Sequence, residues 1–309
     1  MNYKKNSLFI ENISIQRIAK KFGTPSYCYS LNKIKLNIRN FKKYFRSINP
    51  LLCFSVKSNS NLQILKEIKK MGMGADVVSK GELAIALKAG IRPNKIVFSG
   101  VGKTFEELKF AISNNILLIN AESESEIKQI EKIAKNKNKK INIGLRLNPN
   151  IDSKTHKKIS TGKKEDKFGL TENNFLKVIK KFKNSKNLII SCLSVHIGSQ
   201  ITDYKPYEKM LTVVKSVIKK ANHHFDFIDL GGGMGIKYNK KTKELNYARY
   251  NLILKNFLKN YKTRIIFEPG RSIIGDAALL LTKVLYIKKT NSINFIILDS
   301  GMNDLMRPA

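Results

Sequence analysis

A lysine, a run of glycines and a glutamate–arginine pair stand where they could do chemistry together. Lys57 closes the apolar run Cys53-Phe54-Ser55-Val56, so a strand ending there would aim its amine past the strand end. A partly desolvated amine loses proton affinity and can form a Schiff base with a carbonyl; the plainer reading is one more solvated lysine in a lysine-rich chain. In Asp229-Leu230-Gly231-Gly232-Gly233-Met234-Gly235, backbone N–H groups unshielded by Cβ could approach a phosphate, although tight turns use glycines too. Glu268-Pro269-Gly270-Arg271 offers a guanidinium fork for the same phosphate or for a carboxylate. Its glutamate could accept a hydrogen bond from a ring nitrogen that must stay protonated; standing alone, the motif also fits a surface turn. His196, in Ser194-Val195-His196-Ile197-Gly198-Ser199-Gln200, is a single imidazole at a strand end, more often a satisfied core or turn residue than a catalyst. No carboxylate or second histidine lies at ligand spacing from it, so zinc is not expected.

These residues need elements to position them, and the apolar pattern supplies a regular series. Eight short β-rich runs are each followed by helical spacing: Leu51–Lys57, Ala75–Ser79, Lys95–Gly100, Ile116–Ala121, Ile141–Leu147, Leu188–Ile197, Phe225–Leu230 and Arg264–Glu268. Alternation of this kind demands parallel pairing. Eight βα units in about 250 residues predict an α/β fold, a TIM (β/α)8 barrel; an open, doubly wound sheet is the alternative. In a barrel the C-terminal strand ends meet at one mouth, which would gather Lys57, Ser79, Arg146, His196 with Ser199, Gly231 to Gly233, and Glu268 with Gly270 and Arg271. The loop after the seventh strand, where the glycines fall, is a favoured phosphate site in that architecture.

Ser26–Ser30 reads as a strand before the first unit. Leu279–Lys288 and Ile293–Asp299, joined by Thr290-Asn291-Ser292, read as a hairpin opening a β-rich domain. The expected organisation is therefore an N-terminal segment, 1–30, whose strand joins the β-domain; a barrel, 31–276; and the start of an incomplete C-terminal β-domain, 277–309. The polar, lysine-rich stretch Asn150–Asp166 reads as a mobile loop over one barrel mouth.

Composition bounds the rest. The 309 residues are 42% hydrophobic and 26% charged, which excludes wholesale disorder. No apolar run reaches the ~18 residues of a membrane span, and no apolar stretch follows the basic start as in a secretory signal. Three widely spaced cysteines, Cys28, Cys53 and Cys192, fit reduced core thiols of a cytoplasmic protein. The net charge is +35, yet the lysines spread over the whole length rather than forming a stripe, so neither nucleic acid nor membrane is an expected partner. Only nine of the 58 basic residues are arginine, so an arginine here tends to mark a site needing a planar fork.

Five ordered motifs, Phe54-Ser55-Val56-Lys57-Ser58-Asn59, Asp76-Val77-Val78-Ser79-Lys80-Gly81-Glu82, His196-Ile197-Gly198-Ser199-Gln200, Gly231-Gly232-Gly233-Met234-Gly235 and Glu268-Pro269-Gly270-Arg271, resemble the pyridoxal-phosphate-dependent decarboxylases of the alanine-racemase-like fold. The tail Asp299-Ser300-Gly301-Met302-Asn303-Asp304-Leu305-Met306-Arg307-Pro308-Ala309 narrows the likeness to the diaminopimelate decarboxylases. The resemblance implies that Lys57 holds pyridoxal 5′-phosphate and that His196 stacks on its ring. It implies that Ser199, Gly233, Gly270 and Arg271 surround the phosphate and that Glu268 pairs with the pyridine nitrogen. Asp76, Arg146, Gly231 and Gly232 belong to the same implied cofactor site, and Arg271 and Arg307 to a substrate-carboxylate site. Lys57, His196 and Glu268 are the implied catalytic residues. The implied reaction releases carbon dioxide from meso-diaminopimelate to give L-lysine, the last step of lysine synthesis, in a cytoplasmic homodimer. A glutamate at 268, where the related alanine racemases carry arginine, implies decarboxylation rather than racemisation. A decarboxylase of another basic or D-configured amino acid on the same scaffold, or an inactive cofactor-binding remnant, are the alternatives. In the family a C-terminal β-domain carries a catalytic cysteine. None of the three cysteines here lies in such a context, so the proton donor is expected beyond Ala309 and the chain alone is expected to be slow.

Overall fold

Each of the eight runs forms a strand: β1 (Leu51–Ser55), β2 (Gly74–Val77), β3 (Ile96–Phe98), β4 (Leu118–Ala121), β5 (Ile141–Leu147), β6 (Leu188–Val195), β7 (Phe227–Asp229) and β8 (Arg264–Phe267). The computed structural model describes residues 2–4, 6–153, 161–163, 165–239 and 241–306. Every neighbouring strand pair is parallel, and the sheet closes because β8 returns to β1, with Ile266 opposite Leu51. Closure makes this a barrel and excludes the open, doubly wound sheet. The strands read as near-continuous apolar runs because both of their faces are covered, side chains filling the interior and helices packing outside. One interior layer joins Leu51, Cys53, Val97, Leu118, Cys192 and Ile266, all buried.

The connections leaving the strands end on residues built to start helices. Asn61, Ser79, Thr104, Ser123, Thr171 and Asn246 each accept a first-turn backbone N–H with their side chains, which satisfies donors the helix itself cannot. Ser79 is thus occupied as a cap, accepting from the Glu82 N–H at 3.2 Å.

The chain divides into two units, Asn37–Gly275, which contains the barrel, and Met1–Leu36 with Asp276–Ala309. In the second unit Ser26–Tyr29 pairs antiparallel with Ala278–Leu281, and Val284–Lys289 pairs antiparallel with Asn294–Leu298. The single strand expected over Leu279–Lys288 is therefore two. The break falls at Thr282 and Lys283, whose hydroxyl and backbone N–H are drawn to the Asp299 carboxylate at 2.6 and 2.8 Å. A small antiparallel sheet of Asn2–Lys4, Ser7–Ile10 and Ile13–Ser14 carried no signal strong enough to read from sequence.

Of the loop expected over Asn150–Asp166, residues 154–160 and 164 lie outside the described residues, as does Arg307. Among the described residues no helix is long and apolar enough to cross a membrane.

Candidate active site

The C-terminal strand ends surround a cavity of about 380 Å³ lined by Ser55, Lys57, Ser58, His196, Ser199, Gly232, Gly233, Tyr238, Glu268, Gly270, Arg271, Ile274 and Gly275. A neighbouring cavity of about 370 Å³ shares Lys57, His196, Ser199 and Glu268 and adds Ser99, Arg146, Thr161, Phe168 and Ser194 among its walls. The two are lobes of one mouth.

Lys57 is not at the end of its strand. β1 stops at Ser55, and Val56–Ser58 turn once as a 3-10 helix. That turn lifts the amine into the open mouth, where 55% of the side chain is exposed, so the desolvated amine expected from the apolar run is corrected to an accessible one. Its Nζ lies 3.8 Å from Oδ2 of Asp76. Asp76 itself is fully buried on β2 and accepts the Ser55 hydroxyl at 2.7 Å.

His196 follows β6, and its Nδ1 accepts the Gly232 N–H at 3.2 Å. The remaining ring proton is thereby placed on Nε2. Burial, followed by the charges of Arg146 and Lys57, pushes its pKa well below the ordinary 6.5, so the ring is neutral. Gly231 sits beneath it rather than in the cavity wall: its φ is +62°, and a Cβ there would come within 2.4 Å of Nδ1. Gly233, at φ +87°, packs so closely that a Cβ would stand 2.3 Å from the Gly198 carbonyl oxygen. Behind the glycines, the buried Tyr207 hydroxyl donates to the Gly232 carbonyl at 3.4 Å.

Arg271 opens the short helix Arg271–Ile274. Its Nη2 donates to the Ser199 hydroxyl at 3.5 Å, its Nη1 donates to the Tyr238 hydroxyl, and its buried Nε has no partner among the described residues. Glu268 is buried and accepts the Ser99 hydroxyl at 3.3 Å. Burial, then the carboxylates of Asp229 and Asp76, hold its pKa well above the ordinary carboxyl range. Arg146, at the end of β5, is buried against Glu122 at 2.9 Å and stacks on Phe168 with 4.7 Å to the ring centre.

Lys57, His196, Ser199, Gly232, Gly233, Glu268, Gly270 and Arg271 thus share one cavity, with Asp76 and Gly231 directly behind it and Arg146 in the adjoining lobe. Pattern reading missed Asp229, Asn120 and Ser99 inside the barrel, the Glu122 partner of Arg146, and Tyr238. Only Asp229 carried a usable signal, standing at a strand end just before the glycines. The donor set fits pyridoxal 5′-phosphate. An amine is offered to an aldehyde, a flat neutral ring to an aromatic face and a high-pKa carboxyl to a ring nitrogen. The Ser199 hydroxyl and the unsatisfied Arg271 Nε lie beside a glycine cradle suited to a phosphate.

Comparison with known proteins agrees with that fit. The family described as pyridoxal-dependent decarboxylase, pyridoxal binding domain, matches residues 31–275. A diaminopimelate decarboxylase of Aquifex aeolicus (strain VF5) is 43% identical over 315 residues, covering 100% of this chain and 74% of that protein. The crystal structure of diaminopimelate decarboxylase from Helicobacter pylori complexed with L-lysine superposes with a TM-score of 0.88 at 41% identity, covering 94% of this chain and 74% of that one. The M. jannaschii diaminopimelate decarboxylase in co-complex with L-lysine gives a TM-score of 0.92 at 36% identity, covering 99% and 74%.

Proposed function

The chain belongs to the pyridoxal-dependent decarboxylases, within the diaminopimelate decarboxylases, and on that premise we propose that Lys57, His196, Glu268 and Arg271 bind pyridoxal 5′-phosphate and serve the release of carbon dioxide from meso-diaminopimelate to give L-lysine. The observation that carries this reading is the convergence of an accessible amine, a neutral imidazole, a high-pKa carboxyl and a guanidinium on one cavity.

The bound cofactor supplies a protonated ring that takes up the electron pair left on the α-carbon as carbon dioxide departs. Lys57 Nζ would hold the cofactor's aldehyde carbon, and Asp76, 3.8 Å from that amine, would orient it. His196 offers a flat, uncharged face for stacking, its orientation fixed by the Gly232 N–H. Glu268 holds a proton against the ring nitrogen, a task matched to its raised pKa. Arg271 and Ser199 would bind the phosphate, and the Arg271 fork could also hold a substrate carboxylate in bidentate fashion. Cys53 and Cys192 are buried in the inner barrel layer, away from the cavity lining, so neither delivers the proton to the α-carbon. The family likeness also supports a cytoplasmic homodimer, which a solution mass measurement tests.

The test of the assignment is Lys57→Ala. The near-visible absorbance of the loaded chain should vanish while circular dichroism still reports the barrel. Borohydride reduction of the unsubstituted chain should leave the cofactor on the peptide containing Lys57. Labelling of another lysine would overturn the assignment, and failure to release carbon dioxide from meso-diaminopimelate while acting on another basic amino acid would overturn the substrate.

A further inference from the structure

Behind Glu268 the barrel interior holds a second carboxyl group with no part in the scheme above. Asp229, the last residue of β7, is fully buried. Its Oδ1 accepts the Gly231 N–H at 3.0 Å, and its Oδ2 accepts Asn120 Nδ2 at 2.8 Å and the Ser194 hydroxyl at 3.3 Å. The charge of Asp229 bears on Glu268 and raises its pKa, so the two carboxyls do not readily ionise together. The Asn120 amide also reaches the Ser99 hydroxyl at 3.2 Å, and that hydroxyl donates to Glu268 Oε1 at 3.3 Å, so Asn120 and Ser99 link Asp229 to Glu268. The link is built into the fold: a Cβ on Gly144 of β5 would lie 2.0 Å from Asn120 Oδ1, so only glycine leaves room for that amide.

The donors are unevenly shared. Three stabilise charge on Asp229, whereas one hydroxyl serves Glu268, and donors to a carboxylate favour its ionised form. A single proton held by this pair of carboxyls therefore resides on Glu268. We propose that Asp229 is a positioning residue for Glu268: its carboxylate keeps a proton on Glu268, which Glu268 passes to the ring nitrogen as the cofactor docks. The step balances within the site. The Glu268 O–H bond breaks, the N–H bond forms, and Glu268 becomes a carboxylate facing a ring cation, with no proton drawn from solvent into the barrel. The other ionisable groups facing Glu268 are Asp76, which adds to the hold on the proton, and Lys57, which opposes it. The thiols of Cys53 and Cys192 are kept neutral by burial.

This inference rests on the assignment of Glu268 to the ring nitrogen, and the experiment separates the two. The chain is loaded with pyridoxal phosphate labelled with nitrogen-15 in the ring, and the nitrogen resonance is followed against pH. Wild type should show a protonated ring at neutral pH, and Glu268→Gln should shift the resonance toward that of the unprotonated ring. An unprotonated wild-type ring, or no response in Glu268→Gln, refutes the Glu268 assignment. Given that response, Asp229→Asn should lower the midpoint for loss of the ring proton by about one to three pH units, the usual reach of one neighbouring charge. A purely structural role would move the unfolding midpoint and leave the nitrogen titration where it was. If Asp229→Asn does not fold, Ser194→Ala removes one donor, lets Asp229 compete for the proton, and should move the midpoint down by less. A nitrogen midpoint unchanged in the folded variant overturns the role of Asp229 while leaving Glu268 in place.

Discussion

Gly231→Ala tests whether the glycine turn sets the position of His196. At φ +62° the backbone is left-handed, a conformation that costs a residue with Cβ about 1–2 kcal/mol. The new methyl would stand 2.4 Å from His196 Nδ1 and 3.0 Å from its Cβ, so the ring must move, and repacking of that kind costs about 1–3 kcal/mol. Moving the ring breaks the 3.2 Å bond from the Gly232 N–H, worth about 0.5–1.5 kcal/mol. The combined loss is about 2.5–6.5 kcal/mol, at the severe end for one substitution. Two readouts are needed, the urea unfolding midpoint and the affinity for pyridoxal phosphate, which the proposed stacking of His196 on the cofactor ring requires to fall. Gly102→Ala is the control: its φ is not left-handed and nothing lies within 4 Å of the added methyl, so it should stay within about 0.5 kcal/mol of wild type. If Gly231→Ala matches that control in both stability and cofactor affinity, the glycine does not position His196.

Glu122→Ala would leave the buried Arg146 guanidinium and the Gly169 N–H without the carboxylate that now serves both at 2.9 Å. It should destabilise by about 3–5 kcal/mol in urea unfolding, and a loss well under that would mean solvent reaches Arg146. Because the His196 pKa is depressed in the folded chain, the unfolded chain binds more protons in the window from 6.5 down to the folded value. Stability should therefore drop as pH falls through that window, and His196→Asn should remove that component of the slope; an unchanged slope refutes it. If the +35 charge is spread rather than organised for recognition, binding to duplex DNA should be weak and collapse with modest salt. Tight, sequence-selective binding at physiological salt would contradict this.

The eight βα units were legible because apolar periodicity is a local property, and each strand buried on both faces must be a continuous apolar run. The barrel then brings residues such as Lys57, His196, Gly233, Glu268 and Arg271 to one mouth simply because each follows a strand in the same sense. What no local pattern could decide was closure. The return of β8 to β1 joins Ile266 to Leu51, a pairing between opposite ends of the barrel segment that an open sheet would lack. Side-chain direction was equally out of reach: one turn of 3-10 helix, Val56–Ser58, exposes an amine that the apolar run placed at a buried strand end. The scarcity of arginine marked Arg146 and Arg271 as worth attention but could not say that Glu122 is the partner of one and Ser199 a partner of the other. The carboxyl pair left the faintest trace. Asn120 and Asp229 lie 109 residues apart in sequence and 2.8 Å apart in the barrel, and only packing of non-adjacent strands around a common interior puts an amide from β4 against a carboxylate from β7.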